Sequence, residues 1–170
     1  MSKRLRQYAG ILAAILSYYL IHEGAHFLYA VQTGTLRAIK FMGIGVQIDV
    51  YRQGMSDIQV GIFCFAGAAA TFICGWGLII FAGKICRMKS QVIRAVLYYV
   101  TLAMLFIDPV YLGVLCGFFG GGDMNGIRLL VPEGIARISF LMIGLLHMYV
   151  FLKRILPLYR ASFQVSQKPG

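Results

Sequence analysis

Long apolar runs separated by short polar segments are the dominant pattern of this chain. A transmembrane helix needs about 20 mostly apolar residues. Four runs meet that requirement: residues 8–31, 60–83, 95 to about 122, and about 134–156. The fourth run has a short uncharged centre, so Arg137 and Lys153 would have to extend toward the membrane surface. The pattern predicts an all-α polytopic membrane protein with about four transmembrane helices in a single membrane-embedded domain, residues 1–170.

The segment between the first two runs has a different period. Val46, Ile48 and Val50 alternate with polar residues, which is typical of a β-strand with two unlike faces. Glycines just before it would let residues 39–42 form a second strand. The pattern predicts a small membrane-edge β-hairpin between helices 1 and 2, although an amphipathic loop lying on the bilayer explains it equally well. A hairpin inside the membrane must be sheltered by protein, because open strand edges are not tolerated in lipid.

The composition agrees with a membrane location. Of 170 residues, 59% are hydrophobic and 13% are charged, and the mean hydropathy is +0.77, which is too apolar for a soluble domain. The net charge of +10 raises the question of nucleic acid. Lysines and arginines flank the apolar runs, however, and do not form one stripe, so we expect a lipid bilayer as partner and no nucleic acid.

The distribution of basic residues predicts the orientation of the chain. Three lysines and arginines in the N-terminal segment, four between the second and third runs and four at the C-terminal end make 11, against five on the other side. Because the more basic side is usually cytoplasmic, we expect cytoplasmic N- and C-termini in a multi-pass protein. Reporter fusions at residues 35 and 87 would test this, and an external residue 87 would contradict it.

The most informative motif is His22-Glu23-Gly24-Ala25-His26, an H-E-x-x-H pattern. It lies in an apolar stretch, residues 8–31, whose only formal charge is Glu23. Two histidines four residues apart on a helix share a face and can bind one zinc ion, while the glutamate between them can reach the attacking water. Ionisable groups in hydrocarbon are costly and usually functional. The motif predicts His22 and His26 as zinc ligands and Glu23 as the catalytic residue.

A catalytic zinc usually has three protein ligands, and three residues are candidates for the third. Asp123 has the most favourable context, since it follows three glycines, residues 120–122, that loosen a helix and permit close approach. Its alternative role is a turn or a helix N-cap. His147 lies among apolar residues in the fourth run and is more typical of a buried hydrogen-bonding group.

Asp108 is the third candidate and lies just before Pro109 in the third run. In a regular helix the fifteen residues from Asp108 to Asp123 would span about 22 Å, so both reach one zinc only if the helix is broken. Asp108 could instead hydrogen-bond a metal-bound histidine. It could also be a neutral acid that caps backbone groups freed by the proline.

These residues together resemble the site-2 protease family of intramembrane zinc metallopeptidases. Residues 22–26 match the zinc motif in that family's first core helix, and residues 38–51 look like the membrane-embedded sheet that follows it. Residues 66–68 resemble the small-residue second helix. Residues 123–126 resemble the later Asp-Gly motif, whose aspartate is the third ligand. The similarity covers about residues 8–130.

The resemblance implies a zinc-dependent endopeptidase that hydrolyses peptide bonds of transmembrane or membrane-adjacent segments. Its partners would be a membrane protein substrate and an unidentified regulatory membrane protein. Substrates would be unwound from a helix and presented as an extended strand, for which Val46–Val50 offers a pairing edge. Two other functions fit the same residues: a non-catalytic metal-binding membrane scaffold and, less well, a metal transporter. Glycines replace the family's Asn- and Pro-containing lead-in, and Met124 stands where the family has glycine.

Overall fold

The computed structural model describes residues 2–42 and 45–165, and it confirms the predicted fold class. Among these residues, four helices are long and apolar enough to cross a membrane, and two strands form a small antiparallel sheet. The elements in chain order are α1 Lys3–Gln32, β1 Leu36–Met42, β2 Gly45–Val50, α2 Asp57–Cys86, α3 Gln91–Val110, α4 Met124–Ile127, α5 Glu133–Val150 and α6 Leu156–Val165. The chain is therefore a multi-pass membrane protein in its architecture.

Serine side chains begin three of the long helices. The hydroxyl oxygens of Ser2, Ser56 and Ser90 each accept a hydrogen bond from the backbone N–H three residues later, at 3.3 Å in every case. The Gln59 side chain also accepts from the Ser56 backbone N–H, at 2.9 Å. These caps satisfy N–H groups that have no partner within the helix, so the polar segments between apolar runs set where the helices start.

The third span is shorter than predicted. Helix α3 ends at Val110, a π-helical turn continues over Tyr111–Leu115, and the chain then leaves the helix, so the predicted extension to about residue 122 is wrong. Pro109 lies in the last turn of α3 and has no N–H to donate. The glycines at 120–122 all have positive φ, which no regular helix contains. Together these residues end the span early.

The fourth span is longer than predicted. Helix α5 leads into a π-helical turn, Phe151–Ile155, and then directly into α6, giving 32 continuous residues, Glu133–Gln164. Near its start, Arg137 and Glu133 are paired at 2.7 Å one turn apart. Lys153 is exposed and can extend toward the headgroups. The charge of Lys153 is therefore compatible with a helix that continues into α6.

The predicted hairpin is present. Strands β1 and β2 pair antiparallel, with Ile39 opposite Ile48 and Lys40 opposite Gln47; the turn at residues 43–44 lies outside the described residues. The Ile48 side chain is buried against Ala30 of α1 and Phe63 of α2. This apolar contact distinguishes a hairpin from a loop lying freely on the bilayer, because it fixes the strand against two helices.

The outer side of the hairpin is charged. The Asp49 carboxylate lies 2.7 Å from the Lys40 ammonium and 3.7 Å from the Arg37 guanidinium. The hydrogen bond from Lys40 lowers the pKa of the Asp49 carboxyl below its usual value. Exposed charges of this kind need water, so this side of the sheet lies at the membrane surface.

Helices α1, α2 and α3 form the centre of the protein. Ala14 of α1 and Met104 of α3 are buried in one apolar cluster, while α5 packs on α3 and α6 packs on both α2 and α3. On the outer face of α1, Leu12, Leu16 and Leu20 are 60%, 62% and 76% exposed. A stripe of exposed leucines four residues apart along a long apolar helix is suited to contact with lipid.

Candidate metal centre

The two motif histidines lie one turn apart on α1 and both are buried. Their Nε2 atoms face each other at 3.2 Å. The spacing of four residues places them on one face of the helix, and that face is covered by α2 and by the segment before α4. The motif therefore folds into the interior and not toward lipid.

Asp123 joins the histidines from the start of α4. Its Oδ2 atom lies 3.1 Å from Nε2 of His22 and 3.4 Å from Nε2 of His26. The carboxylate does not cap α4, although Asp123 occupies the N-cap position. Asp123 therefore does not act as a helix cap through its side chain.

The electrostatic environment keeps Asp123 ionised. Burial by itself would raise the pKa of the Asp123 carboxyl, but hydrogen bonds to His22 and His26 outweigh burial and hold the pKa at about 2. At neutral pH the site therefore presents a carboxylate oxygen to both imidazole rings.

Ring tautomers show why these three atoms fit a cation. Nδ1 of His26 lies 2.7 Å from the backbone carbonyl oxygen of Phe63. A carbonyl can only accept, so Nδ1 carries the proton and Nε2 of the neutral ring has a lone pair. Two imidazole nitrogens and a carboxylate oxygen then converge within hydrogen-bonding distance. A cation placed among them satisfies all three.

The donor set is one that zinc accepts, and other divalent transition metals accept it as well. Two imidazole nitrogens and one carboxylate oxygen leave a further coordination position open, as catalytic zinc sites do. The structure brings together the three residues that the sequence assigned, His22, His26 and Asp123, in a group that could hold a metal ion. That they bind zinc stays a prediction.

Gly67 of α2 makes room for the histidines. A Cβ atom at position 67 would lie 2.6 Å from Nε2 of both His22 and His26, well inside van der Waals contact. The small residues of this helix are expected to promote close helix packing, and at Gly67 that packing is against the candidate ligands themselves.

Asp108 approaches the other side of His22. Its Oδ1 atom lies 3.3 Å from Nδ1 of His22, without the alignment of a hydrogen bond. The same carboxylate accepts from the Tyr18 hydroxyl at 2.6 Å and from the Thr71 hydroxyl at 2.5 Å. Asp108 and Asp123 thus contact opposite nitrogens of one imidazole ring. This is possible because the helix ends after Leu115 and the chain turns back.

Tyr18 and Thr71 belong to the site although sequence analysis did not select them. Tyr18 lies four residues before His22 on α1, and its ring stacks on the His22 ring with centroids 5.1 Å apart. Thr71 lies four residues after Gly67 on α2. The signal that could have found them is helical spacing, since residues four apart share a face, but tyrosine and threonine are too common for spacing to suffice.

Glu23 faces a cavity of about 1050 Å³ that also contains His22, His26 and Asp123. The backbone N–H of Ile48 in β2 lies near the Glu23 carboxylate, on the cavity side of the strand. This N–H therefore points away from β1, and the free edge of β2 forms part of the cavity wall. A carboxylate, the candidate ligands and a strand edge are thereby within one space.

The glycine-rich segment closes one end of this cavity. Gly120 and Gly122 line it, together with the exposed Phe119. The Asn125 amide donates to the carbonyl oxygen of Gly120 at 2.9 Å and holds the turn in place. Positive φ at the glycines lets the chain reverse here and deliver Asp123 to the histidines.

His147 lies outside the site, and both of its ring nitrogens are hydrogen-bonded. Nδ1 donates to the carbonyl oxygen of Leu105 at 2.7 Å, and Nε2 accepts from the indole N–H of Trp76 at 3.1 Å. His147 is therefore a buried hydrogen-bonding group, and no lone pair of the neutral ring remains for a metal.

Comparisons with protein-family models, with curated proteins and with solved structures give no match.

Proposed function

We propose that this protein is an intramembrane zinc metallopeptidase that hydrolyses peptide bonds of transmembrane or membrane-adjacent segments. The observation that carries the proposal is the convergence of Nε2 of His22, Nε2 of His26 and Oδ2 of Asp123 beside Glu23 in one cavity. A buried cluster of this kind within apolar helices is costly unless it has a function.

In this proposal His22, His26 and Asp123 hold the zinc ion. Bound zinc supplies Lewis-acid chemistry, which polarises a scissile carbonyl and makes water a better nucleophile. The Glu23 carboxylate takes a proton from the attacking water and then delivers it to the nitrogen of the leaving amine.

The cavity wall supports presentation of the substrate as a strand. A helix hides its carbonyl oxygens in internal hydrogen bonds, so a helical substrate must unwind before hydrolysis. Unwound backbone in lipid needs new partners, and the free edge of β2 offers them beside Glu23. We expect cleavage near Gly, Pro or Asn, where unwinding costs less.

The test of the activity uses purified protein and a panel of single-span membrane proteins with a tag at each end. Wild-type protein loaded with zinc is expected to release fragments, and Glu23→Gln to reduce the rate by at least about 100-fold while keeping its zinc. Metal content is measured on the same samples. Zinc binding with no fragment from any substrate would favour the scaffold, and zinc uptake into sealed vesicles would favour the transporter.

The strand hypothesis has its own matched pair of variants. Ile48→Pro removes the N–H that faces the cavity. Ile39→Pro removes the N–H of the residue directly opposite, which points outward from the far side of β1 because opposed residues share one hydrogen-bonding geometry. We expect Ile48→Pro alone to slow cleavage of a helical substrate, with zinc unchanged.

Ile48→Ala controls for the lost side chain. If both proline variants cleave like wild type, and helix-stabilising substitutions at the cut site leave the rate unchanged, strand presentation is wrong.

A further inference from the structure

Tyr111 begins the π-helical turn that follows α3. Turns of this kind are rare and are frequently found at functional sites. The N–H of Cys116 donates to the carbonyl oxygen of Tyr111 at 2.7 Å, which closes the turn. The Tyr111 ring packs against a buried apolar cluster that includes Leu112 and Met124. Because backbone and ring are both held, the fold fixes the position of the hydroxyl group at the far end of the ring.

The Tyr111 hydroxyl lies against the segment that brings Asp123 to the histidines. A Cβ atom at position 122 would lie 2.5 Å from the Tyr111 hydroxyl oxygen, so only glycine leaves room for that oxygen here. Gly122 directly precedes Asp123, and both residues line the cavity of about 1050 Å³ together with Tyr111. The negative charge of Asp123 also acts on the hydroxyl. The Tyr111 hydroxyl is therefore a neighbour of the candidate metal ligands.

The Tyr111 hydroxyl has no hydrogen-bond partner among the described residues. Other polar groups of the same cavity are already engaged. The Tyr18 hydroxyl donates to Asp108 at 2.6 Å, and the Asn125 amide donates to the carbonyl oxygen of Gly120 at 2.9 Å. Tyrosine hydroxyls with little access to water usually have a partner. A group that enters the cavity can accordingly accept a hydrogen bond from Tyr111.

Tyr111 and Glu23 belong to different walls of the cavity. Glu23 lies on α1, with the backbone N–H of Ile48 in β2 nearby. Tyr111 lies at the end of α3, and its hydroxyl faces the glycine-rich segment. Tyr19 also lines the cavity, but it lies one turn before Glu23 on α1 and shares the face of that residue. A peptide bond between the two walls would therefore have the carboxylate on one side and the Tyr111 hydroxyl on the other.

We propose that Tyr111 is a further catalytic residue, whose hydroxyl donates a hydrogen bond to the carbonyl oxygen of the scissile peptide bond. This inference rests on the proposed peptidase function. Attack by water forms a bond between the water oxygen and the carbonyl carbon, while Glu23 takes a proton from that water. The π electrons of the carbonyl move to its oxygen, which becomes negatively charged.

The hydrogen bond from Tyr111 is strongest while the substrate oxygen is charged. A hydrogen bond to a charged acceptor is about twice as strong as one to a neutral carbonyl, and a donor that is already in place needs no reorganisation. When the C–N bond breaks, an electron pair on the oxygen restores the C=O bond, and the proton held by Glu23 goes to the leaving nitrogen. Tyr111 keeps its own proton throughout.

Tyr111→Phe tests the proposal, since it removes the hydroxyl and keeps the ring that packs on the apolar cluster. For zinc-loaded protein and a helical substrate, we expect kcat to fall about 100-fold, a usual loss when one donor to a developing oxyanion is removed. KM and zinc content should stay at their wild-type values, because the hydrogen bond gains its strength in the transition state. An unchanged kcat, or a loss seen only in KM, would overturn the proposal.

Binding without turnover separates a catalytic role from a structural one. A peptide with a phosphinic group in place of the scissile amide presents an anionic oxygen, as the transition state does. Tyr111→Phe should weaken binding of this peptide about 100-fold. Binding of the uncleaved substrate, measured in a Glu23→Gln background, should not change. Equal weakening of both ligands would show that Tyr111 only shapes the cavity and would contradict a catalytic role.

The matched comparison is Tyr19→Phe, which removes the same group from the same cavity. We expect a smaller loss of kcat there, and an equal or larger loss would mean that the wrong hydroxyl was assigned. Glu23→Gln is assayed alongside. Loss of activity in Glu23→Gln with a wild-type rate in Tyr111→Phe contradicts the role of Tyr111 alone. Absence of fragments from the wild-type protein, or a full rate in Glu23→Gln, contradicts the peptidase function and this inference with it.

Discussion

The protein buries histidines in two regions, and their surroundings differ. In the first region, Nε2 of His22 and Nε2 of His26 face each other and a carboxylate oxygen. In the second, His147 donates to a carbonyl and accepts from an indole N–H. Both regions lie within long apolar helices, and in both a ring nitrogen is directed at a backbone carbonyl.

The difference lies in the partner of the Nε2 atom. For His147 it meets a donor, so the neutral ring is fully satisfied. For His22 and His26 the Nε2 atoms face hydrogen-bond acceptors, which is unfavourable unless a proton or a metal ion lies among them. Burial of a histidine therefore indicates little about function, and the chemistry of its neighbours indicates much.

Removing the histidines is expected to have the largest effect. His22→Ala/His26→Ala should reduce zinc in the purified protein from about one ion per chain to near zero. His147→Ala, which removes an equally buried ring, should keep the zinc and lower thermal stability instead. Metal analysis and thermal unfolding on the same samples measure both. Equal zinc in the double variant and wild type would remove the distinction between the two regions.

A change of one methyl group at Gly67 is expected to weaken the first region without altering any ligand. Gly67→Ala places a Cβ 2.6 Å from both Nε2 atoms, so the two histidine rings and α2 must move apart, and the zinc content should fall several-fold. Gly77→Ala on the same helix is the matched control, because nothing lies within 4 Å of a Cβ there. Unchanged zinc in Gly67→Ala would show that the site tolerates the separation.

Asp108→Asn tests how the first region holds its ring. The substitution keeps the shape of the side chain but removes the charge beside Nδ1 of His22. We expect zinc affinity to fall about 10–100-fold, the usual effect of altering a group that orients a metal ligand. Asp123→Ala should cause the larger loss. Titration with a competing chelator measures both, and a larger effect of Asp108→Asn would mean that the third ligand was assigned to the wrong residue.

The smallest expected effect belongs to the second region. Trp76→Phe removes the donor to Nε2 of His147 and should lower the free energy of unfolding by about 0.5–1.5 kcal/mol. Zinc content should not change. If zinc fell together with stability, the two regions would be coupled, and the separation drawn between them would be wrong.

Several elements of the fold follow directly from the sequence. The apolar runs locate all four spans, and the alternation at residues 46–50 locates β2. These features are predictable because periodicity and length are local properties that a membrane enforces strongly. The predicted ends of the third and fourth spans are wrong. Proline and glycine geometry ends the third span early, and a π-helical turn extends the fourth.

The site divides in the same way. The spacing of His22 and His26 determines by itself that their rings share a face, since four residues make about one helical turn. The sequence does not decide whether Asp108 or Asp123 contacts these rings. The structure places both beside His22, on opposite ring nitrogens.

The sequence by itself determined the membrane architecture and the histidine pair, because each depends on neighbours within a few residues. The packing of Ile48 on α1 and α2 decided between a hairpin and a loop on the bilayer. Only the tertiary structure decided that Asp123 reaches the pair, that Tyr18 and Thr71 hold Asp108, and that Gly67 admits both rings. Those contacts join residues 37 to 101 positions apart. They depend on the end of the helix at Leu115 and on how closely α1 and α2 pack, and no local sequence pattern contains that information.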